Sequence, residues 1–185
     1  FTVCRRALGD GRFDEVVKVG VGASAFWIDR YEASVWATPN ATASSQIFRN
    51  DGDFIMAQVP RNGQGAGPTY ALSVVNVVPG NAITWFQANE ACAASGKILP
   101  SGSQWLRAAR GTSDPPTAES GDSGCRTSNL DPAFVDRPRA TGLGSTLCRS
   151  DWGVEDMIGN VAEYTIEWHA GLGTGDALTP TDPVG

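Results

Sequence analysis

The sequence predicts one α+β domain with much irregular structure. Three observations carry this: two helix signatures in succession, a few short runs of aromatic and β-branched residues, and long stretches dominated by Gly, Pro, Asn, Asp and Ser. At 185 residues the chain suits a single domain, 1–185, with its own core. It opens on FTVCRR and closes on TPTDPVG, and reads as trimmed at both ends.

The first helix is expected from Thr84 to Ser95. In ITWFQANEACAASGK, Thr84 is placed to cap the N-terminus, and Gln87 three residues on completes a capping box. Gly96 can end the helix in a left-handed conformation. Trp85, Ala88, Ala91 and Cys92 then share one face. The same grammar returns in LPSGSQWLRAARG: Ser101 and Gln104 form a second box, Trp105, Ala108 and Ala109 an apolar stripe, and Gly111 the stop. A second helix is thus expected from Ser101 to Arg110, joined to the first by Lys-Ile-Leu-Pro.

Strands are expected in AFWIDRYEASVW and YALSVVNVV, and in AEYTIEWH, where Ala162, Tyr164, Ile166 and Trp168 alternate on one side. Stretches such as RNDGDFIMAQVPRNGQGAGPT and GTSDPPTAESGDSG read as long loops. The Gly-rich pieces match neither a P-loop nor a dinucleotide fingerprint, and no internal repeat is present. Asn40-Ala41-Thr42 fits a glycosylation sequon, a match short enough to arise by chance.

A net charge of −6 with no Lys/Arg cluster argues against nucleic acid. No apolar run approaches the roughly 20 residues of a membrane-spanning helix. The four cysteines, Cys4, Cys92, Cys125 and Cys148, allow three pairings. They contain no CxxC, and His169 is the one histidine, so a Cys/His zinc site is poorly supported. Disulfides in an exported protein read better. Cys125 with Cys148 is favoured, because the two bracket a segment without periodicity. Their separation, 148 − 125 = 23, should give about 3 kcal/mol on the chain-entropy model. Cys4 with Cys92 then follows by elimination, unless Cys92 is simply a small buried helix residue.

One further stretch, DWGVEDMIGNVAEY, sets Asp156, Gly159, Asn160 and Glu163 close together. It reads either as an Asx-type turn with exposed carboxylates or as a cage of oxygens for a hard cation.

Three pieces in order, FWIDRYEAS (26–34), AITWFQANEACAASGKILPSGSQWLRAARG (82–111) and WGVEDMIGNVAEY (152–164), resemble the formylglycine-generating enzyme, or sulfatase-modifying factor, family. The resemblance implies an irregular C-type lectin-like fold with two short helices, a small antiparallel sheet and long loops. It also implies calcium at the third piece, held by the Asp156 side chain, the Gly159 and Val161 carbonyls and the Glu163 carboxylate. Asn129 and Asp131 offer a second site, but the loop around them departs from the family pattern. The family's oxidase chemistry uses copper on a cysteine pair near the end of the domain, beside an Arg-Gly-Gly-Ser-Trp segment. Neither occurs here, so the chain is expected to lack that C-terminal part, and no catalytic residue is assigned. A relative, the sulfoxide synthases of thiol-histidine biosynthesis, holds iron on several histidines, which His169 alone does not supply. Other relatives are the variable proteins of diversity-generating retroelements, which display residues on a lectin-like surface.

The expected function is therefore an exported ligand-binding or structural module on a calcium-stabilised scaffold, at the cell surface, in the periplasm or secreted. Its partner would be a protein or carbohydrate at an exposed loop surface, where Trp36, Trp152 and Trp168 are candidate contacts. Oligomerisation is open. The alternatives are a copper- and oxygen-dependent formylglycine-type oxidase whose catalytic C-terminal segment is absent from this chain, and a subunit of an extracellular assembly or filament.

Overall fold

The computed structural model describes residues 1–42, 45–47, 67–81, 83–113, 125, 138–143 and 148–167. Strands β1 (Val3–Ala7), β2 (Phe13–Val19) and β3 (Phe26–Asp29) form an antiparallel sheet in the order β1-β2-β3. Val17 sits opposite both Val3 and Ile28. Strands β4 (Ser34–Trp36) and β5 (Tyr70–Leu72) form a second antiparallel pair, with Val35 opposite Ala71. Helices α1 (Trp85–Ala94) and α2 (Gly102–Ala109) follow. Among the described residues, two sheets and two α-helices make the architecture α+β.

Both helices start and stop where their caps dictate. Thr84 Oγ1 accepts from the Gln87 N–H at 3.2 Å, while Gln87 Oε1 accepts from the Thr84 N–H at 2.8 Å. Ser101 and Gln104 repeat the arrangement at 3.2 and 2.8 Å. Gly96 (φ 71°) and Gly111 (φ 85°) take the left-handed conformation just past the helix ends, which glycine adopts without steric cost.

Two apolar clusters form the core. Val17, Val19, Ala108, Val154 and Met157 pack together, with Phe26, Ile28 and Trp105 against them. Leu8, Trp36, Ala41, Leu72, Val74 and Val77 make the other. Burying such side chains contributes about 1.5–3 kcal/mol each for the larger ones. Trp36 is fully buried, and its indole N–H is satisfied at 2.8 Å by Ser34 Oγ, which donates at 3.0 Å to the Leu72 carbonyl. It is a core residue, which corrects its reading as a ligand contact: an indole with no exposed surface cannot touch a partner. Trp152 packs half-buried against the first cluster.

Several sequence expectations are corrected. The run 25–36 is two strands, because the chain turns at Arg30–Ala33; there the Arg30 N–H bonds the Glu15 carbonyl and the Glu155 N–H bonds the Arg30 carbonyl. Only the first three residues of YALSVVNVV pair as strand. AEYTIEWH forms no strand over its described residues, 162–167. Its polar groups strap the helix starts instead: Trp85 Nε1 donates to the Thr165 carbonyl at 2.8 Å, the Ile166 N–H to the Pro100 carbonyl at 2.9 Å, and the Gly102 N–H to Glu167 at 3.0 Å. Trp168, His169, Asn129 and Asp131 lie outside the described residues. Among the described residues, no helix is long and apolar enough to cross a membrane.

Candidate functional site

Strand β3, the bend after it, the link between the helices and segment 154–164 enclose a cavity of about 820 Å³. Every residue of β3 reaches it, and so do Trp105 on α2 and Tyr164. Trp27, Tyr164 and Ile98 are 49%, 41% and 75% exposed, so an apolar rim stands open to solvent. The charged groups are fixed by partners. Lys97 Nζ lies 2.9 Å from Asp14 Oδ1 and 2.8 Å from Asp29 Oδ1, and Asp14 also accepts the Ser73 N–H at 2.8 Å. Burial pushes the Asp29 carboxyl up, and Lys97 only partly offsets it. Burial works against the Lys97 ammonium too, but the two carboxylates outweigh it and hold the ammonium above its ordinary value. Arg30 spans Glu15 at 2.8 Å and Glu155 at 3.2 Å, pinning β2 to segment 154–156.

The turn 156–163 forms one wall. Asp156 is 1% exposed; Arg139 Nη2 reaches its Oδ1 at 3.4 Å and the Gly142 N–H its Oδ2 at 3.4 Å. Asp156, Gly159 and Asn160 all have positive φ, at 60°, 90° and 59°. For Asp and Asn that conformation is uncommon and must be held by contacts. Asn160 supplies them: its Oδ1 accepts the Arg139 N–H at 2.6 Å, and its Nδ2 donates to the Arg139 carbonyl at 3.0 Å and to Glu32. Glu163 accepts the Trp105 indole N–H.

Three carboxylates therefore feel one another across this turn. Glu163 is exposed along part of its length, but desolvation of its carboxyl beside the Trp105 ring raises it to about 7; the Trp105 N–H opposes this and the charge of Asp156 adds to it. Glu32 is pushed well above the usual carboxylate range by burial first and by Glu163 next. Among the described residues no three acidic, Cys or His side chains converge into a ready coordination shell. The chemistry nevertheless suits a hard cation: the buried Asp156 carboxylate and the exposed Glu163 carboxylate share one turn with the Gly159 and Val161 carbonyls, which accept no hydrogen bond from the described residues. Of the four residues expected to hold calcium, all sit on this turn, but Asp156 is already engaged by Arg139.

The cysteines divide sharply. Cys125 and Cys148 are joined by a disulfide and are each 1% exposed, and the Asp156 N–H donates to the Cys148 carbonyl at 3.0 Å, so the bridge steadies the start of the turn. Cys4 and Cys92 are free, which corrects the pairing reached by elimination. Cys4 on β1 sits opposite Val16, and Val16 opposite Asp29, whose charge acts on Cys92.

Sequence reasoning gave no role to Glu32, Arg139, Asp29 or Lys97. Glu32 and Asp29 stood inside FWIDRYEAS, but only the fold brings Glu32 to Asn160 and Val161, more than a hundred positions away, and Asp29 to Lys97. Comparison with curated proteins and with solved structures found no match. The family model described as the sulfatase-modifying factor enzyme 1-like domain matches residues 7–176, which include the cavity, the turn and the disulfide. The chain therefore belongs to the sulfatase-modifying factor enzyme 1-like domain family.

Proposed function

We propose that the domain is an exported ligand-binding module on a C-type lectin-like scaffold, taking its ligand at the cavity beside a calcium-braced turn. The observation that carries this reading is the cavity itself: about 820 Å³, aromatic and aliphatic along most of its wall, with a few charged groups held in place. Ligand sites have this make-up, with apolar area for affinity and a small number of fixed polar groups for orientation. The ligand class is a protein or carbohydrate meeting the open rim at Trp27, Ile98 and Tyr164. The buried disulfide supports export, since such bonds persist in oxidising compartments. When bound, calcium would neutralise the carboxylates of the turn, with Glu163, the Gly159 and Val161 carbonyls and a share of Asp156 as its holders.

A second reading, the copper-dependent oxidase, has one observation in its favour: Cys92 faces the cavity. That reading places its copper-binding cysteine pair in a C-terminal segment absent from this chain, and the cysteines present do not themselves supply such a pair. Burial, with the charge of Asp29, pushes the Cys92 thiol up to about 11, which leaves almost no thiolate at neutral pH. Cys4 is free and exposed on β1, and the remaining pair is already oxidised. The test is binding of the full chain to glycan and peptide arrays, with Trp27→Ala and Tyr164→Ala as cavity variants. Binding that both variants weaken supports the module. Conversion of a cysteine-containing peptide to an aldehyde in the presence of copper and oxygen would favour the oxidase instead.

A further inference from the structure

We infer that Glu32 is the positioning residue of the cation site, holding the Gly159–Val161 turn in shape from the bend between β3 and β4; this rests on the calcium reading above. Glu32 is 5% exposed, and both of its carboxylate oxygens are spent on the turn: Asn160 Nδ2 donates to one and the Val161 N–H to the other, at 3.0 Å. The second contact fixes the peptide plane between residues 160 and 161. That plane lies between the two carbonyls proposed as ligands.

The tie continues into a chain of contacts along the turn. Glu32 holds Asn160, Asn160 holds the Arg139 backbone through both its amide atoms, and the Arg139 guanidinium holds Asp156 at 3.4 Å. These contacts hold Asn160 in the left-handed region (φ 59°), an uncommon conformation for a non-glycine residue, beside Gly159 at φ 90°. Glu32 therefore shapes the site, because its oxygens are already committed to the turn. Residues that orient metal ligands typically change affinity by about 10- to 100-fold when replaced.

The experiment is calorimetric titration of calcium chloride into the metal-stripped full chain, for the wild type, Glu32→Gln, Glu32→Asp, Asn160→Ala and the Glu32→Gln/Asn160→Ala pair. Melting without calcium is recorded separately to confirm that each variant is folded. The wild type should bind calcium, and Glu32→Gln should bind about 10- to 100-fold more weakly. Glu32→Asp keeps the charge but loses the reach, and should weaken binding similarly. The double variant should bind no worse than its weaker parent, because both changes cut the same tie. Wild-type affinity in folded Glu32→Gln or Glu32→Asp, or additive losses in the double variant, would overturn the role of Glu32 alone. No calcium binding by the wild type would overturn the calcium reading, and this inference with it.

Discussion

Replacing Lys97 by methionine should be among the most damaging single changes to this domain, and its damage should depend on pH. The Lys97 ammonium is mostly buried and lies within 3 Å of two carboxylates, at 2.9 Å from Asp14 and 2.8 Å from Asp29. Methionine keeps much of the apolar stem but leaves two buried negative charges without their shared partner. Breaking a buried pair from one side costs about 3–5 kcal/mol. For a chain of this size, that corresponds to a fall of roughly 6–20 °C in melting temperature. Asp29 is already raised in the native state by burial, and losing Lys97 removes the contacts that lower it. A carboxyl whose folded pKa lies above its unfolded value binds more protons when folded, so stability rises as pH falls through the folded pKa. The deficit of Lys97→Met should therefore be largest near pH 8 and shrink toward pH 5, and adding Asp29→Asn should recover part of it at pH 8. Urea denaturation of both variants and the wild type at the two pH values gives the numbers. A loss below about 1 kcal/mol at pH 8, or one equal at both pH values, would refute the reasoning.

Other outcomes follow from single contacts. Thr84→Ala removes one half of the first capping box and should cost about 1 kcal/mol, read by chemical denaturation. Thr141→Val leaves the buried Val77 N–H without the hydroxyl it donates to, and the Val74 carbonyl without its donor, for a loss of about 1–3 kcal/mol in the same assay. Gly142→Ala forces a non-glycine residue to φ 72° with its new methyl group 2.7 Å from Val75 and 3.0 Å from the Tyr31 ring, so the melting temperature should fall. In thiol labelling at pH 8 the exposed Cys4 should react first, while Cys92, half-buried and with its thiol raised to about 11, should react fully only after unfolding.

The helices were legible because capping is local: Thr84 with Gln87, and Ser101 with Gln104, are decided within four residues. The turn at Asp156–Glu163 was legible as a candidate for the same reason, since its glycine and carboxylates are adjacent in the chain. Strands β1 and β2 were less visible. FDEVVKV carries acidic residues at Asp14 and Glu15 that are buried, because Lys97, Arg6 and Arg30 pair with them from elsewhere. AEYTIEWH failed in the other direction. Its alternation is real, but Tyr164 and Ile166 stay 41% and 44% exposed, and its backbone is spent on the starts of the two helices. Glu32 could not be assigned from sequence, because its partners are about 130 residues away and nothing near it signals them.

In the proposed account, calcium braces the turn carrying Gly159, Asn160 and Glu163. Thermal unfolding of the metal-stripped full chain, with calcium, with magnesium and with chelator, tests it most directly. Calcium at about one hundred times its dissociation constant should add about 2.7 kcal/mol, or roughly 5–11 °C, and magnesium should add less, because it demands a stricter octahedral shell. Identical melting in all three conditions would contradict the claim, and would leave the turn as a hydrogen-bonded loop held by Glu32, Arg139 and Trp105 alone.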